Sequence, residues 1–280
     1  MNTKNAQKIS ELTDPKSVGR DIKLLSFDLD GTLINSSGEI SEASIREIAR
    51  VKKSGVAIAI ATGRPLFTSE DIIDQIGVEG ASMFFSGSFV TDVFTRIPVL
   101  ECHMIRATVE EIVKFAREHK ITLELYTGEE FFVDEESELT KLHIKDYLKI
   151  PPRVLNLLKL SRQEKFLKSV FMVERGSKEE TLVNEFCAKL TQCTVSTAFG
   201  AKHPDIVFYN ITSLYASRER AFQALLEFYE LDPKQVVSFG DAPSDMPFLS
   251  LSGVGIAMGN ADQQTASAAR FVTHSVDNDG

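Results

Sequence analysis

The sequence predicts an α/β protein: a doubly wound, parallel, Rossmann-like sheet that is interrupted by an inserted α+β domain. Near both ends of the chain, short apolar runs alternate with helical patterns, as they do in parallel sheets with right-handed crossovers. In the middle, paired apolar runs suited to hairpins are mixed with helices, which is typical of a mostly antiparallel sheet. We therefore expect a discontinuous core over residues 21–85 and 207–280 and an insert over residues 86–206, preceded by an N-terminal extension over residues 1–20.

The first part of the core alternates strand, helix, strand, helix, strand. Residues 56–61 are continuously apolar, as expected of a central parallel strand that is covered on both faces. Ser41 is suited to cap a helix that Gly55 ends. The remaining predicted elements are strands at 22–27 and 83–85 and a helix at 66–76.

The insert and the returning core are predicted in less detail. In the insert we expect a hairpin of 89–93 with 96–100, helices at 108–118 and 178–190, and strands at 122–126, 130–133, 168–173, 193–196 and 205–209. Residues 134–165 carry no clear pattern. The core then resumes with helices at 217–230 and 261–269 and strands at 236–239, 254–258 and 271–272.

The composition is that of an ordinary globular chain and argues against several classes of partner. The 280 residues carry 31 basic and 40 acidic side chains, a net charge of −9, which disfavours binding to the phosphate backbone of nucleic acids. No apolar run approaches the ~18 residues of a membrane helix. The three cysteines form no CxxC pair, which fits a reducing compartment. We expect a cytoplasmic monomer or homodimer with neither a nucleic-acid nor a membrane partner.

Polar residues follow three of the predicted core strands. Asp28 and Asp30 end the first apolar run, Thr62 follows the second, and Asp241 and Asp245 follow the strand at 236–239. The carboxyl ends of neighbouring parallel strands share one edge of a sheet, where α/β proteins bind ligands. Clustered carboxylates repel one another, and Mg²⁺ prefers such hard oxygen ligands together with a substrate phosphate. The residues therefore predict a Mg²⁺-dependent phosphate site built on Asp28.

These residue types are suited to nucleophilic and acid–base chemistry. A carboxylate can attack phosphorus to give an aspartyl-phosphate, and a second carboxylate two residues on can protonate the leaving oxygen and then activate water. A calcium-binding EF-hand loop is a poor alternative. With Gly31 at the sixth loop position, the last position would be Ser37 instead of the required Glu, and a strand precedes the loop instead of a helix.

Four segments in order resemble the haloacid dehalogenase superfamily of phosphotransferases, in its Cof-type branch. Residues 28–33 (DLDGTL) resemble motif I, residues 61–65 (ATGRP) motif II, and residues 240–245 (GDAPSD) motif IV. Residues 253–261 (GVGIAMGNA) match the segment that follows motif IV in that branch. The resemblance extends from about residue 22 to the end of the chain. It implies that the insert is a type IIB cap that closes over the substrate and sets specificity.

Position by position, the resemblance implies a role for each motif residue. It implies that Asp28 is the nucleophile and that Asp30 is the general acid and base. The implied phosphate-binding residues are Thr62, Gly63 and Arg218. The implied metal ligands are Asp28, Asp30 through its backbone carbonyl, Asp241 and Asp245, with Asp245 either a direct ligand or hydrogen-bonded behind one.

Two positions depart from the family pattern. Motif III should supply a lysine just before the helix at 217–230, and the ungapped match falls on Arg218. Arginine keeps the charge but presents a planar fork instead of a compact ammonium group. Ser244 stands where the branch usually has Asn. Lys202 is another cation that could take the place of the missing lysine.

The resemblance implies a Mg²⁺-dependent phosphatase acting on a small phosphorylated metabolite through an aspartyl-phosphate intermediate. Sugar phosphates are the leading substrate class, followed by phosphorylated cofactors such as flavin or pyridoxal phosphate. Two alternatives stay open: a phosphomutase with the same nucleophile, and a phosphometabolite-binding protein whose catalysis is weakened by the loss of the motif III lysine.

Overall fold

The computed structural model describes residues 6–9, 21–200 and 202–280. Most of the predicted N-terminal extension, residues 1–20, lies outside the described residues. The chain forms two compact units. The first unit comprises Met1–Arg64, Ser69–Leu100 and Ser217–Gly280, and the second comprises Pro65–Thr68 and Glu101–Ala216. Within the described residues, every helix is too short or too polar to cross a membrane.

The elements follow one another along the chain in this order. The strands are β1 (Gln7–Lys8), β2 (Leu24–Phe27), β3 (Ala57–Ile60), β4 (Ala81–Phe84), β5 (Phe89–Asp92), β6 (Pro98–Glu101), β7 (Thr122–Tyr126), β8 (Phe131–Val133), β9 (Arg153–Val154), β10 (Lys168–Glu174), β11 (Cys193–Phe199), β12 (Ile206–Ser213), β13 (Val236–Gly240), β14 (Val254–Ala257) and β15 (Phe271–Val272). The α-helices are α1 (Glu42–Lys52), α2 (Glu70–Ile76), α3 (Arg106–His119), α4 (Glu138–His143), α5 (Leu157–Leu160), α6 (Lys178–Cys187), α7 (Arg218–Tyr229), α8 (Met246–Leu251) and α9 (Gln263–Ala268).

The first unit is built on a six-stranded sheet in the order β1-β15-β14-β13-β2-β3. All of its pairings are parallel. From β2 the chain moves to β3 on one side, and the returning chain enters as β13 on the other. This reversal beside β2 is a topological switch point, where the carboxyl ends of the strands leave a crevice for a ligand. The predicted doubly wound parallel sheet is confirmed.

The apolar strands of this sheet pack against helices of the same unit. Leu24 and Ala59 are fully buried together with Phe222 and Leu225 of α7 and with Phe248 of α8. Ser217 caps α7 by accepting a hydrogen bond from the Arg220 amide, as a serine before a helix does. The sequence prediction contained α7 but not the short helix α8.

Residues 81–84 form the third strand that the strand–helix alternation predicted, and an isolated parallel bridge between Ala61 and Met83 joins it to the end of β3. Its main pairing is different from the prediction: it is antiparallel with β5, in a three-stranded sheet with the order β4-β5-β6. The predicted hairpin of 89–93 with 96–100 is present as β5 and β6. Its first strand is held by β4, which explains why residues up to Leu100 belong to the first unit.

The second unit contains a six-stranded sheet in the order β11-β12-β10-β7-β8-β9. Its pairings are antiparallel except for the parallel contact of β8 with β9, as predicted for the insert. Leu123 and Phe171 on one face pack with Ile112 of α3 and Val183 of α6 to form its core. The unit ends later than the predicted boundary at residue 206, because β12 pairs along its whole length with β10 and β11.

Two further segments differ from the prediction. The helix predicted at 66–76 is a 3₁₀ turn, Leu66–Thr68, followed by the separate helix α2. Residues 134–165, which carry no clear sequence pattern, form α4, a π-helical turn at Ile144–Leu148, β9 and α5. These elements are short, and short helices depend on tertiary packing more than on their own sequence.

Candidate active site

Asp28 stands where β2 ends, and the neighbouring strand fixes its position. Its amide donates to the carbonyl of Phe239 on β13 at 3.0 Å, which extends the strand pairing by one residue. The residue is 7% exposed. The turn after it places Gly31 at φ +80°, where a β-carbon would come within 2.3 Å of an Asp241 carboxylate oxygen. The glycine therefore lets the first βα turn pass directly beside Asp241.

Asp30 is oriented differently from Asp28. Its carboxylate is exposed and accepts from both Nε and Nη2 of Arg64, with the Nε contact at 2.8 Å. A bidentate arginine–carboxylate pair fixes geometry as well as charge. The structure thus joins the first βα turn to the loop after β3 through these two residues.

Asp241 follows β13 and is held by two donors. The Thr32 hydroxyl donates to its Oδ1 at 3.3 Å, and the Asn260 amide donates to its Oδ2 at 3.0 Å. The same Asn260 amide group also donates to the Gly31 carbonyl at 2.9 Å, and its own oxygen accepts from the Val276 amide at 3.0 Å. Asn260 therefore ties both acidic turns to the last residues of the chain.

Asp245 is fully buried and heavily hydrogen-bonded. Its Oδ2 accepts from the amides of Asp241 and Ala242, both at 2.9 Å. Its Oδ1 lies 2.9 Å from Nη1 of Arg218 and accepts from the Ser244 hydroxyl at 3.3 Å. These bonds shape the loop that carries Asp241.

Arg218, the first residue of α7, is the cation nearest to Asp28 among the charged contacts of this site. Besides its bond to Asp245, Nη1 donates to the Ala61 carbonyl at 3.0 Å, and Nη2 lies 3.8 Å from Asp28 Oδ1. The guanidinium lies over the Phe248 ring at 5.3 Å, and its Nε is buried without a hydrogen-bond partner among the described residues. Arginine at the motif III position thus remains inside the acidic site.

The second predicted phosphate-binding turn follows β3. Thr62 is 1% exposed, and its amide donates to the Met83 carbonyl at 2.9 Å. Its hydroxyl accepts from the Arg64 amide at 3.2 Å. Gly63 passes close to Ser86, whose hydroxyl would lie 3.2 Å from an added β-carbon. A side chain there would crowd the turn.

Burial and neighbouring negative charges raise the pKa values of two carboxyl groups in the site. Burial, and then the negative charge of Asp245, hold the pKa of Asp28 well above its usual range, although Arg218 acts in the opposite direction. Burial and Asp245 likewise raise the pKa of Asp241 to about 6. Close like charges in a buried site favour either a proton or a cation.

Three carboxylates suit a divalent cation. Single oxygen atoms of Asp28, Asp241 and Asp245 lie within 4.8 Å of one another, and we call these residues the acidic cluster. Hard oxygen donors of this kind are what Mg²⁺ prefers. The donor set therefore fits such an ion, with Asp28 and Asp241 keeping the freer oxygens because Asp245 already accepts three hydrogen bonds and forms an ion pair with Arg218.

The structure brings most of the predicted site residues together, and it adds one. Asp28, Asp241, Asp245 and Arg218 converge, whereas the Asp30 carboxylate points to Arg64 and is not part of the acidic cluster. The predicted alternative cation, Lys202, lies in the second unit near Asp146. Sequence reasoning gave no role to Asn260. A signal was present, since it lies in the segment 253–261 that follows motif IV.

A parallel sheet with carboxylates at its switch point defines an α/β protein whose ligand site lies at the carboxyl ends of its strands. Comparison with known proteins agrees. A model of the haloacid dehalogenase-like hydrolases matches residues 25–280. The 5-amino-6-(5-phospho-D-ribitylamino)uracil phosphatase YitU of Bacillus subtilis is 24% identical over 264 residues, which cover 92% of this chain and 94% of YitU.

Solved structures show the same fold. A haloacid dehalogenase-like hydrolase from Bacteroides thetaiotaomicron has a TM-score of 0.80 and 22% identity, covering 92% of this chain and 96% of its own. The subclass IIB sugar phosphatase BT4131 has a TM-score of 0.75 and 20% identity, covering 92% and 95%. The chain belongs to the haloacid dehalogenase-like hydrolase family. The family resemblance found in the sequence, and with it the expectation of an enzyme, is confirmed.

Proposed function

We propose that this protein is a Mg²⁺-dependent phosphatase that hydrolyses small phosphorylated metabolites through an aspartyl-phosphate on Asp28. The observation that carries the proposal is the acidic cluster, because a buried carboxylate stands beside two others and a guanidinium at the switch point of the sheet. Family membership supports the same conclusion. We assign the chemistry to the first unit and substrate selection to the second, which would make the second unit the cap.

In this mechanism Asp28 Oδ attacks phosphorus while the bond to the leaving oxygen breaks. Asp30 donates a proton to that oxygen and then takes one from the water that cleaves the aspartyl-phosphate. Arg64 orients the Asp30 carboxylate through its bidentate contact. Asp30 must exchange protons with the reacting oxygens, so the Arg64 contact has to loosen in each turnover.

The phosphoryl oxygens need donors and positive charge. Arg218 is suited to this role because its Nη2 lies 3.8 Å from Asp28 and its buried Nε has no partner among the described residues. Thr62 and Gly63 would add hydroxyl and backbone donors at the end of β3. Asp28, Asp241 and the Asp30 carbonyl would hold the metal ion, with Asp245 completing the site or positioning Asp241. The bound ion would supply charge that offsets the repulsion between Asp28 and the phosphate.

Sugar phosphates are the first substrate class that we propose, followed by phosphorylated cofactors such as flavin or pyridoxal phosphate. YitU and BT4131 support this choice, since one is a phosphatase of a phosphorylated ribityl compound and the other is a sugar phosphatase. We further propose a cytoplasmic location. It is supported by Cys187 and Cys193, which are buried, free thiols, since disulfides are rare in reducing compartments.

A Mg²⁺-dependent phosphate-release screen over a metabolite panel tests the proposal, with Asp28→Asn measured in parallel. We expect release by the wild-type protein that EDTA abolishes and that the variant lacks. Full activity in the Asp28→Asn protein would exclude the nucleophile assignment. Transfer of phosphate between positions of one sugar, with little free phosphate, would instead indicate a phosphomutase. Ligand-induced thermal stabilisation without turnover would indicate a phosphometabolite-binding protein.

A further inference from the structure

The second unit holds a buried polar cluster that the proposed chemistry leaves unused. Strand residues alternate between the two faces of a sheet. Leu123 and Leu125 of β7 face the core of this unit, so Glu124 and Tyr126 face the other way. Lys168 of β10 lies directly opposite Tyr126 in the pairing register. With His143, which ends α4, these residues form what we call the Glu124 site: Glu124, Tyr126, His143 and Lys168.

Glu124 is 0% exposed, and only one of its two carboxylate oxygens has hydrogen-bond partners among the described residues. Its Oε2 accepts from the Tyr126 hydroxyl and lies 2.8 Å from Nδ1 of His143. Its Oε1 is buried and has no hydrogen-bond partner among the described residues. A buried acceptor without a partner is destabilising, because it has lost its hydrogen bonds to water. Native structures therefore normally fill such a position with water or a ligand.

Lys168 places a positively charged hydrogen-bond donor on the same face of the sheet. Its Nζ lies 5.8 Å from the centre of the Tyr126 ring. It lies more than 4.0 Å from the carboxylate oxygens of Glu124, and it forms no hydrogen bond with any other described residue. Burial lowers the pKa of Lys168 to about 8, and Glu124 acts in the opposite direction. The ammonium group therefore lacks an acceptor while a carboxylate oxygen nearby lacks a donor.

Aromatic rings pack around the rest of the site. Tyr126 stacks on Phe131 with ring centres 5.4 Å apart, and Phe67 of the same unit stacks on both rings. His143 packs against the Phe208 ring at 5.0 Å. These contacts hold Tyr126 and His143, the two hydrogen-bond partners of Glu124 Oε2, in position.

The two open groups define the chemistry of the occupant. A cation would be repelled by Lys168, and an anion would be repelled by Glu124. A neutral group that offers a donor to Oε1 and an acceptor to the ammonium satisfies both. Adjacent hydroxyls are the simplest such group, since each hydroxyl both donates and accepts.

We propose that the Glu124 site binds adjacent hydroxyl groups of a sugar or sugar-alcohol phosphate, with Glu124 accepting from one hydroxyl and Lys168 donating to the next. This inference rests on the proposed phosphatase function, because it assigns the organic part of that substrate. A site built to hydrogen-bond hydroxyls rejects analogues that lack them, since its own polar groups are then left unpaired.

The test compares hydroxylated and unhydroxylated esters in one protein. We would measure kcat/KM for ribitol 5-phosphate, glucose 6-phosphate and p-nitrophenyl phosphate in wild type, Glu124→Gln and Lys168→Met. For the preferred hydroxylated ester, we expect its kcat/KM relative to that of p-nitrophenyl phosphate to fall about 10- to 100-fold in either variant. Lys168→Met serves as the second probe should Glu124→Gln fail to fold. Glu185→Gln in α6 and Lys189→Met just after it, both at exposed positions, should leave this ratio unchanged.

An equal loss on all three esters would assign the cluster a structural role and overturn the proposal, as would an unchanged ratio. Turnover of p-nitrophenyl phosphate without turnover of either hydroxylated ester would also overturn it. If wild type releases phosphate from none of the three, the phosphatase function itself fails. Calorimetric binding of the two hydroxylated esters then decides: affinity about 10-fold weaker in Glu124→Gln supports the site, and absent or unchanged binding overturns it.

Discussion

The two units differ in where their buried charges lie and in how those charges are satisfied. In the first unit, carboxylates follow the ends of parallel strands, and backbone amides, Asn260 and Arg218 hold them in place. In the second unit, the buried Glu124 lies in the middle of an antiparallel sheet face. The first arrangement suits a cation and a phosphate, which are common to all substrates. The second arrangement suits a neutral polar group in the organic part of the substrate, and that part differs from one substrate to another.

Changes in the first unit should lower turnover of every phosphate ester, by an amount that depends on the leaving group and not on the hydroxyl groups of the substrate. Changes at the Glu124 site should instead alter the preference between hydroxylated and unhydroxylated esters. The following variants test the first of these two expectations, in order of decreasing effect.

Asp28→Asn should lower phosphate release by about 10,000-fold or more, since it removes the nucleophile. Stability should move in the opposite direction. The buried Asp28 carboxylate is repelled by Asp245, so an uncharged amide should raise the melting temperature measured without metal at pH 7.5. A lower melting temperature would indicate that Asp28 stabilises the fold. Loss of turnover could then come from unfolding and would not identify the nucleophile.

Asp30→Asn should lower kcat by about 100- to 10,000-fold, the usual contribution of a positioned acid or base. The loss should be smallest for p-nitrophenyl phosphate, whose leaving group needs little protonation. Asp71→Asn, an exposed aspartate of α2, is the matched control and should behave as wild type. Equal losses on good and poor leaving groups would argue against Asp30 as the acid.

Arg218→Met should destabilise the first unit by about 3–5 kcal/mol, because it leaves Asp245 buried without its partner. Arg218→Lys keeps the charge, so it should cost less stability while still changing turnover. Urea unfolding followed alongside kcat separates the two effects. If Arg218→Lys loses stability and leaves turnover intact, Arg218 is a structural cation and not a phosphate ligand.

Asn260→Ala should weaken divalent-ion binding by about 10-fold, since groups that orient metal ligands typically contribute that much or more. Calorimetric titration with Mg²⁺ and Mn²⁺ checks this independently of turnover. Asn278→Ala, in the same C-terminal segment, should bind the ions as wild type does. Unchanged binding in Asn260→Ala would restrict Asn260 to holding the Gly31 turn and the chain end.

Much of the fold and of the candidate active site could be predicted from the sequence. Asp28, Thr62 and Asp241 each follow an apolar run, and parallel strands align such positions, so the hydrophobic pattern alone predicts that these residues lie close together. The mostly antiparallel character of the insert, predicted over residues 86–206, also followed from paired apolar runs. The strand predicted at 83–85 is present as β4, and a parallel bridge between Ala61 and Met83 joins it to the end of β3. Its antiparallel pairing with β5 was not predicted, because a short apolar run does not specify both of its neighbours.

Local hydrophobic patterning and motif spacing encode the fold class, the family and the acidic residues of the site, so these features can be predicted without a structure. The partner of each charged group depends instead on the tertiary structure. It placed Arg218 between Asp245, Asp28 and the Ala61 carbonyl, turned Asp30 to Arg64, and brought Asn260 to Asp241. It also left one oxygen of Glu124 without a partner in the part of the chain that the structure describes, on the same sheet face as Lys168. Hydrogen bonds between residues far apart in sequence depend on orientation and burial, which no local pattern records.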